Sequence, residues 1–193
     1  MNEFFSSPYL MLYARLALGG VLVVGAVGKL LDTRNAPDAV AAQVPFLPPA
    51  LARPAAVALP WIELLVGGLL LAGLGLVVVG PVALAMMVLF TVLITRDVVA
   101  GRRTACSCFG RFSSEDVSEL TIVRDLFLVL LAGLITLSAS RYLALDGLWQ
   151  SQAAGGPPLA EAILVALLAA GTVIVVILGA SLLATVRGLL RAY

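Results

Sequence analysis

Apolar residues in this chain come in runs long enough to cross a bilayer, and little else is left over. A helix needs roughly 20 consecutive apolar residues to span a hydrocarbon core of about 30 Å. Runs of that kind recur at about 10–31, 55–79, 82–99, 119–138 and 159–185. In lipid the backbone must satisfy its own polar groups, and a helix does so within one segment. Composition agrees, with 62% hydrophobic and 12% charged residues, against about 45–50% and 25% in soluble domains. The chain therefore reads as an all-α integral membrane protein with no room for a soluble domain.

The joints between the runs are short. Residues 32–54 hold Pro37, Pro45, Pro48, Pro49 and Pro54, and only 37–46 is expected to hold a short helix, because the later prolines break one. Gly80-Pro81 reads as a tight turn between the second and third spans. Ser113, Ser114 and Ser118 are candidate caps for the fourth span. Gly19, Gly20, Gly25 and Gly28 in the first span, and Gly67, Gly68, Gly73 and Gly75 in the second, allow close helix contacts. Phe4, Phe5, Tyr9, Tyr13, Tyr142, Trp149 and Tyr193 fall near expected interfaces, as an aromatic belt does.

Charge narrows the function classes. The net charge is +1, which gives no electrostatic basis for binding nucleic acid. Histidine is absent, and with it the commonest metal ligand and general base. Glu3 has the wrong sign for a signal-peptide n-region, so the first span is expected to be retained. With five spans and the N-terminus outside, Lys29, Arg34, Arg53, Arg96, Arg102, Arg103, Arg111, Arg187 and Arg191 fall on the inner side. Arg141 alone falls outside. The positive-inside rule thus puts the C-terminus in the cytoplasm of a cell (inner) membrane protein, and with it the segment 100–118.

That segment holds the only cysteines, in Cys106-Ser107-Cys108-Phe109-Gly110. Thiols one residue apart close a small, strained disulfide ring, and strain makes a disulfide easier to reduce. The flanking Arg102, Arg103 and Arg111 favour thiolate. A redox exchange pair, a soft-metal contact and a pair of inert loop thiols all remain open. Two thiolates supply half of a tetrahedral metal site.

Glu63, in Leu59-Pro60-Trp61-Ile62-Glu63-Leu64, is placed about two turns inside the second span. A carboxylate within a membrane usually faces a partner. Lys29, near the end of the first span, and Arg124, early in the fourth, belong on the same membrane side as Glu63 and the cysteine segment. This holds whichever way the bundle faces. The three form either a polar pocket that handles a proton or small ligand, or a structural ion pair that locks the helices. Arg15 and Lys29 lie near the two ends of the first span, where long side chains reach the headgroups. Arg96 with Asp97 and Arg124 with Asp125 sit near span ends and are expected to snorkel.

Taken together, Arg15, the Gly25-x-x-Gly28-Lys29-Leu30 element, the proline loop, Leu59–Leu64 and the Cys-x-Cys-Phe-Gly element resemble the methylamine utilisation protein MauE family. That family is related to the DoxX-like membrane proteins, and the resemblance covers roughly residues 10–140. It implies a four-helix transmembrane core over residues 1–140. A loop (141–158) and an additional C-terminal transmembrane helix with a basic tail (159–193) then follow. It also implies a role in maturing a disulfide-rich partner, the small subunit of methylamine dehydrogenase in the type case. A thioredoxin-like companion is implied too, with Cys106 and Cys108 as the exchange pair.

The expectation is therefore a membrane thiol-disulfide exchange protein. Cys106 and Cys108 are its redox pair, and Lys29, Glu63 and Arg124 its polar floor. Besides lipid, its partners are a thioredoxin-like or disulfide-rich protein. One rival is a carrier of a soft metal or of a small apolar ligand such as a quinone. Another is a structural or assembly subunit of a membrane complex or oligomer, for which the fifth span supplies a surface.

Overall fold

The computed structural model describes residues 8–31, 48–100, 119–137 and 163–176, all but a few of them helical. The helices are α1 (Pro8–Leu31), α2 (Pro49–Ala72), α3 (Leu76–Val99), α4 (Glu119–Leu137) and a shorter apolar α5 (Ile163–Val176). Three of them are long and apolar enough to cross a membrane, over Tyr9–Leu31, Pro54–Ala72 and Leu76–Val99.

α1 pairs most extensively with α2, and α3 with α4; lesser contacts of α1 with α4 and of α2 with α3 close the ring. Both pairs run antiparallel. In the first, Gly19 meets Gly67 while Lys29 meets Glu63. In the second, Gly80 meets Ile135 and Thr136. Small residues set the spacing. A Cβ on Gly67 would stand 2.9 Å from Val23 Cγ2 and 3.0 Å from the Gly19 carbonyl, well inside van der Waals contact. Glycine here brings the two backbones together, as in other membrane helix pairs.

The joint between α2 and α3 lies earlier than Gly80-Pro81. Gly73 and Gly75 have φ of 69° and 60°, the left-handed region that glycine enters without penalty. The Gly73 and Leu74 N–H groups donate back to the Leu70 and Leu69 carbonyls at 3.1 and 2.9 Å, closing α2 with a Schellman motif. No polar spacer is needed, so the hydropathy pattern runs straight through the turn. Gly80 and Pro81 are inside α3, and Gly80 is buried where α4 comes close.

Prolines also fail to mark the start of α2. Pro49 occupies the first turn, and Pro54 and Pro60 lie within the helix. A first-turn proline gives up an N–H that has no helical acceptor anyway. The expected short helix at 37–46, the loop 140–158 and the outer parts of the fifth span lie outside the described residues.

α1 is the central helix. Its membrane-spanning window is 61% buried, against 33% for those of α2 and α3, because α2, α4 and α5 all pack on it. α5 meets α1 through Val173, which lies against Gly20, and its Ala169 is buried in the shared core. Tyr13 completes that contact. The Thr172 hydroxyl donates to the Leu168 carbonyl at 2.9 Å, so the Tyr13 hydroxyl is the donor in its 2.8 Å bond to Thr172 Oγ1. Tyr13 thus ties two helices together and is not confined to an interfacial belt. The outward faces, such as Val57, Trp61, Ile62 and Leu65 on α2, are exposed and apolar, the surface expected toward lipid.

Arg15 does not reach for the headgroups. It is 1% exposed, and its Nε donates to the Leu70 carbonyl at 3.3 Å. That carbonyl belongs to the last turn of α2, where partial negative charge accumulates and a cation is favoured.

Candidate functional site

At the far end of α1 from Arg15 the two helix pairs enclose a group of charges. Lys29 sits in the last turn of α1, and its Nζ donates to Glu63 Oε1. Because α2 begins at Pro49 and not near Ala55, Glu63 lies near the middle of its helix. Its side chain faces the bundle interior, with 1% exposure. Phe90 of α3 lies beneath Lys29, with its ring centroid 5.3 Å from Nζ, a distance at which an aromatic face attracts a cation.

α4 brings the second pair. Arg124 Nε and Nη2 both donate to Asp125 Oδ1, at 3.0 and 2.9 Å. Lys29, Glu63, Arg124 and Asp125 line one cavity of about 30 Å³, together with Gly25, Met87, Phe90 and neighbouring aliphatic residues. The four charges sum to zero, which suits a low-dielectric interior where an unpaired charge is strongly disfavoured.

One atom is left over. Glu63 Oε2 is buried and has no hydrogen-bond partner among the described residues. An unsatisfied buried polar group costs about 1–3 kcal/mol, and more when charged.

The structure thus brings together Lys29, Glu63 and Arg124. Asp125 joins them, although its place near a span end suggested a snorkelling residue. It is 5% exposed, and Asp97, judged in the same way, is 2% exposed. Both lie next to the arginine expected as partner, Asp97 Oδ1 taking a bond from Arg96 Nη2 at 3.0 Å. The pairings hold, but the carboxylates face inward. Phe90 carried no charge or motif to single it out. Cys106, Cys108, Arg102, Arg103 and Arg111 lie outside the described residues, as do the candidate caps Ser113, Ser114 and Ser118.

The family model described as methylamine utilisation protein MauE matches residues 7–138. The chain belongs to the MauE family. The matched segment contains α1 to α4 in full and stops just past the end of α4. Every residue of the buried charge group therefore lies within the MauE segment, while α5 lies beyond it. No curated protein and no solved structure matches the chain. Its apolar helices and its family make this MauE chain a membrane protein.

Proposed function

We propose that this MauE chain is a membrane thiol-disulfide exchange protein that helps a disulfide-rich partner mature, within the methylamine utilisation role its family name describes. Cys106 and Cys108 are the exchange pair. The observation that carries the reading is positional. The only two cysteines, flanked by Arg102, Arg103 and Arg111, occupy the segment joining α3 to α4. The ends of α3 and α4 that this segment joins are those nearest the buried Lys29, Glu63, Arg124 and Asp125.

The exchange conserves electrons. A partner thiolate attacks the Cys106–Cys108 disulfide and forms a mixed disulfide. The partner's second thiolate then displaces it. The partner leaves with a new disulfide, and both cysteines of this chain are left reduced. A thioredoxin-like protein carrying a disulfide restores the pair by the reverse steps. Arginines beside the pair favour the thiolate that attacks and leaves. Lys29, Glu63 and Arg124 form a polar floor within a four-helix membrane domain taken as residues 1–140. Residues 141–158 then connect to the added transmembrane helix and basic tail, 159–193. The N-terminus is assigned outside the inner membrane and the C-terminus to the cytoplasm, from the distribution of lysine and arginine.

The test is differential alkylation of membranes before and after mild reductant, read by mass. A shift corresponding to two thiols appearing together is expected, and the Cys106→Ser, Cys108→Ser double variant should lose partner maturation. A pair that stays reduced throughout, with full function in the double variant, refutes exchange. Stoichiometric copper or zinc lost on cysteine replacement would instead support a soft-metal site.

A second reading has its own observation. α5 packs on α1 through one side and leaves Ile163, Leu164, Leu167, Leu168, Ile174 and Val175 exposed. This surface outside the MauE segment suits an assembly subunit of a membrane complex. Co-purification in mild detergent, with and without residues 159–193, separates that role from exchange.

A further inference from the structure

The cavity between the two helix pairs has one wall of charge and one of hydrocarbon. Lys29, Glu63, Arg124 and Asp125 make the first, and Met87 and Phe90 close the α3 side. Glu63 gives Oε1 to Lys29, while Oε2 is buried without a donor among the described residues. An ionised carboxylate accepts through both oxygens. Buried polar atoms in folded proteins nearly always find a partner, whether protein or ordered water. At about 30 Å³ the cavity exceeds the roughly 10–15 Å³ that one water needs, and its wall offers the polar partners a water requires. The space beside Glu63 therefore suits a water-sized donor.

We propose that this cavity is a hydrated protonation site, in which water donates to Glu63 Oε2 and delivers the proton that this oxygen takes up. The inference stands on the cavity and the unpartnered oxygen, not on the cysteines. Oε1 remains engaged by the Lys29 ammonium, so the incoming proton bonds to Oε2. A hydronium ion from the aqueous side gives up that proton and becomes water, and the local charge rises by one. Among the described residues, the ionisable groups that line the cavity with Glu63 are Lys29 from α1 and Arg124 and Asp125 from α4. The α3 side contributes the uncharged Met87 and Phe90.

Infrared difference spectra of the full chain in liposomes, recorded through pH steps in H2O and D2O, test the proposal. A carboxyl C=O band is expected that titrates, moves to lower frequency in D2O and is missing from Glu63→Gln. Coincident spectra for the two proteins overturn it. Should Glu63→Gln fail to fold, water-edited carbon NMR on the unaltered chain decides instead. Magnetisation from water should reach the Glu63 carboxyl severalfold faster than the lipid-facing Leu65 methyls, and equal rates overturn the proposal. Neither readout requires a thiol, so the same experiments on the Cys106→Ser, Cys108→Ser variant separate a failure of this site from a failure of exchange.

Discussion

α1 carries two buried cations about four turns apart, and the protein treats them differently. Arg15 inserts into the close-packed end, where its guanidinium meets a main-chain carbonyl at the terminus of α2. Glycines nearby bring α1 and α2 into backbone contact. Lys29 enters the opposite end, where it meets a carboxylate, an aromatic face and a cavity. The first end is built for density. The second keeps space around charge, in a medium where empty polar space is costly. A cation alone therefore does not mark a site in a membrane bundle. A cation whose partner still has an unused acceptor beside a cavity does.

The largest effect should come from breaking the pair at the open end. Lys29→Met leaves Glu63 as a buried carboxylate without its ammonium, and removing one partner of a buried ion pair typically costs about 3–5 kcal/mol. The double variant Lys29→Met, Glu63→Leu removes both charges and should recover most of that loss. Reversible unfolding in detergent, analysed as a double-mutant cycle, gives the coupling. If the double variant is as unstable as the two single losses summed, the ion pair is not the bond that joins α1 to α2 at this end.

A change at the dense end should cost less. Gly67→Val must place a Cβ against Val23 and the Gly19 carbonyl, and overpacking of this kind typically costs about 1–3 kcal/mol. Gly68→Ala is its control, since nothing lies within 4 Å of the added carbon, and it should lose no stability in the same unfolding assay. Equal behaviour of the two variants would mean that close approach at Gly67 is not what holds the pair together.

Sequence reasoning reached the membrane class, the family and the gathering of Lys29, Glu63 and Arg124, because helix order alone puts those three on one side of the bilayer. It misplaced the α2–α3 joint, because Gly73 and Gly75 turn the chain by backbone conformation and leave no dip in hydropathy. Gly80-Pro81 looked like the turn, yet proline is tolerated in membrane helices, where neighbouring groups take up the freed backbone. The early start of α2, through Pro49 and Pro54, has the same cause; it puts Glu63 near mid-helix, although the apolar span still begins at Pro54, about two turns before Glu63. Asp97 and Asp125 look like snorkelling residues in the sequence because position along a helix says nothing about which way a side chain faces. Arginine next to aspartate in sequence gives the pairing but not its burial.

The smallest effect concerns the contact outside this comparison, between α1 and α5. Tyr13 donates to Thr172, whose own hydroxyl proton is already committed to Leu168. Tyr13→Phe keeps the ring and removes only that donor, so a loss of about 0.5–1.5 kcal/mol is expected. The loss should appear at α5 and not in the α1–α4 bundle, because Val173 still packs on Gly20 of α1 while no ion pair or backbone contact of the bundle changes. Hydrogen exchange in detergent separates the two. Faster exchange confined to 163–176, with α1 to α4 protected as before, identifies α5 as a helix docked on a bundle that stands without it. Uniform loss of protection would instead make α5 part of the same cooperative unit and extend the dense end of α1 across three helices.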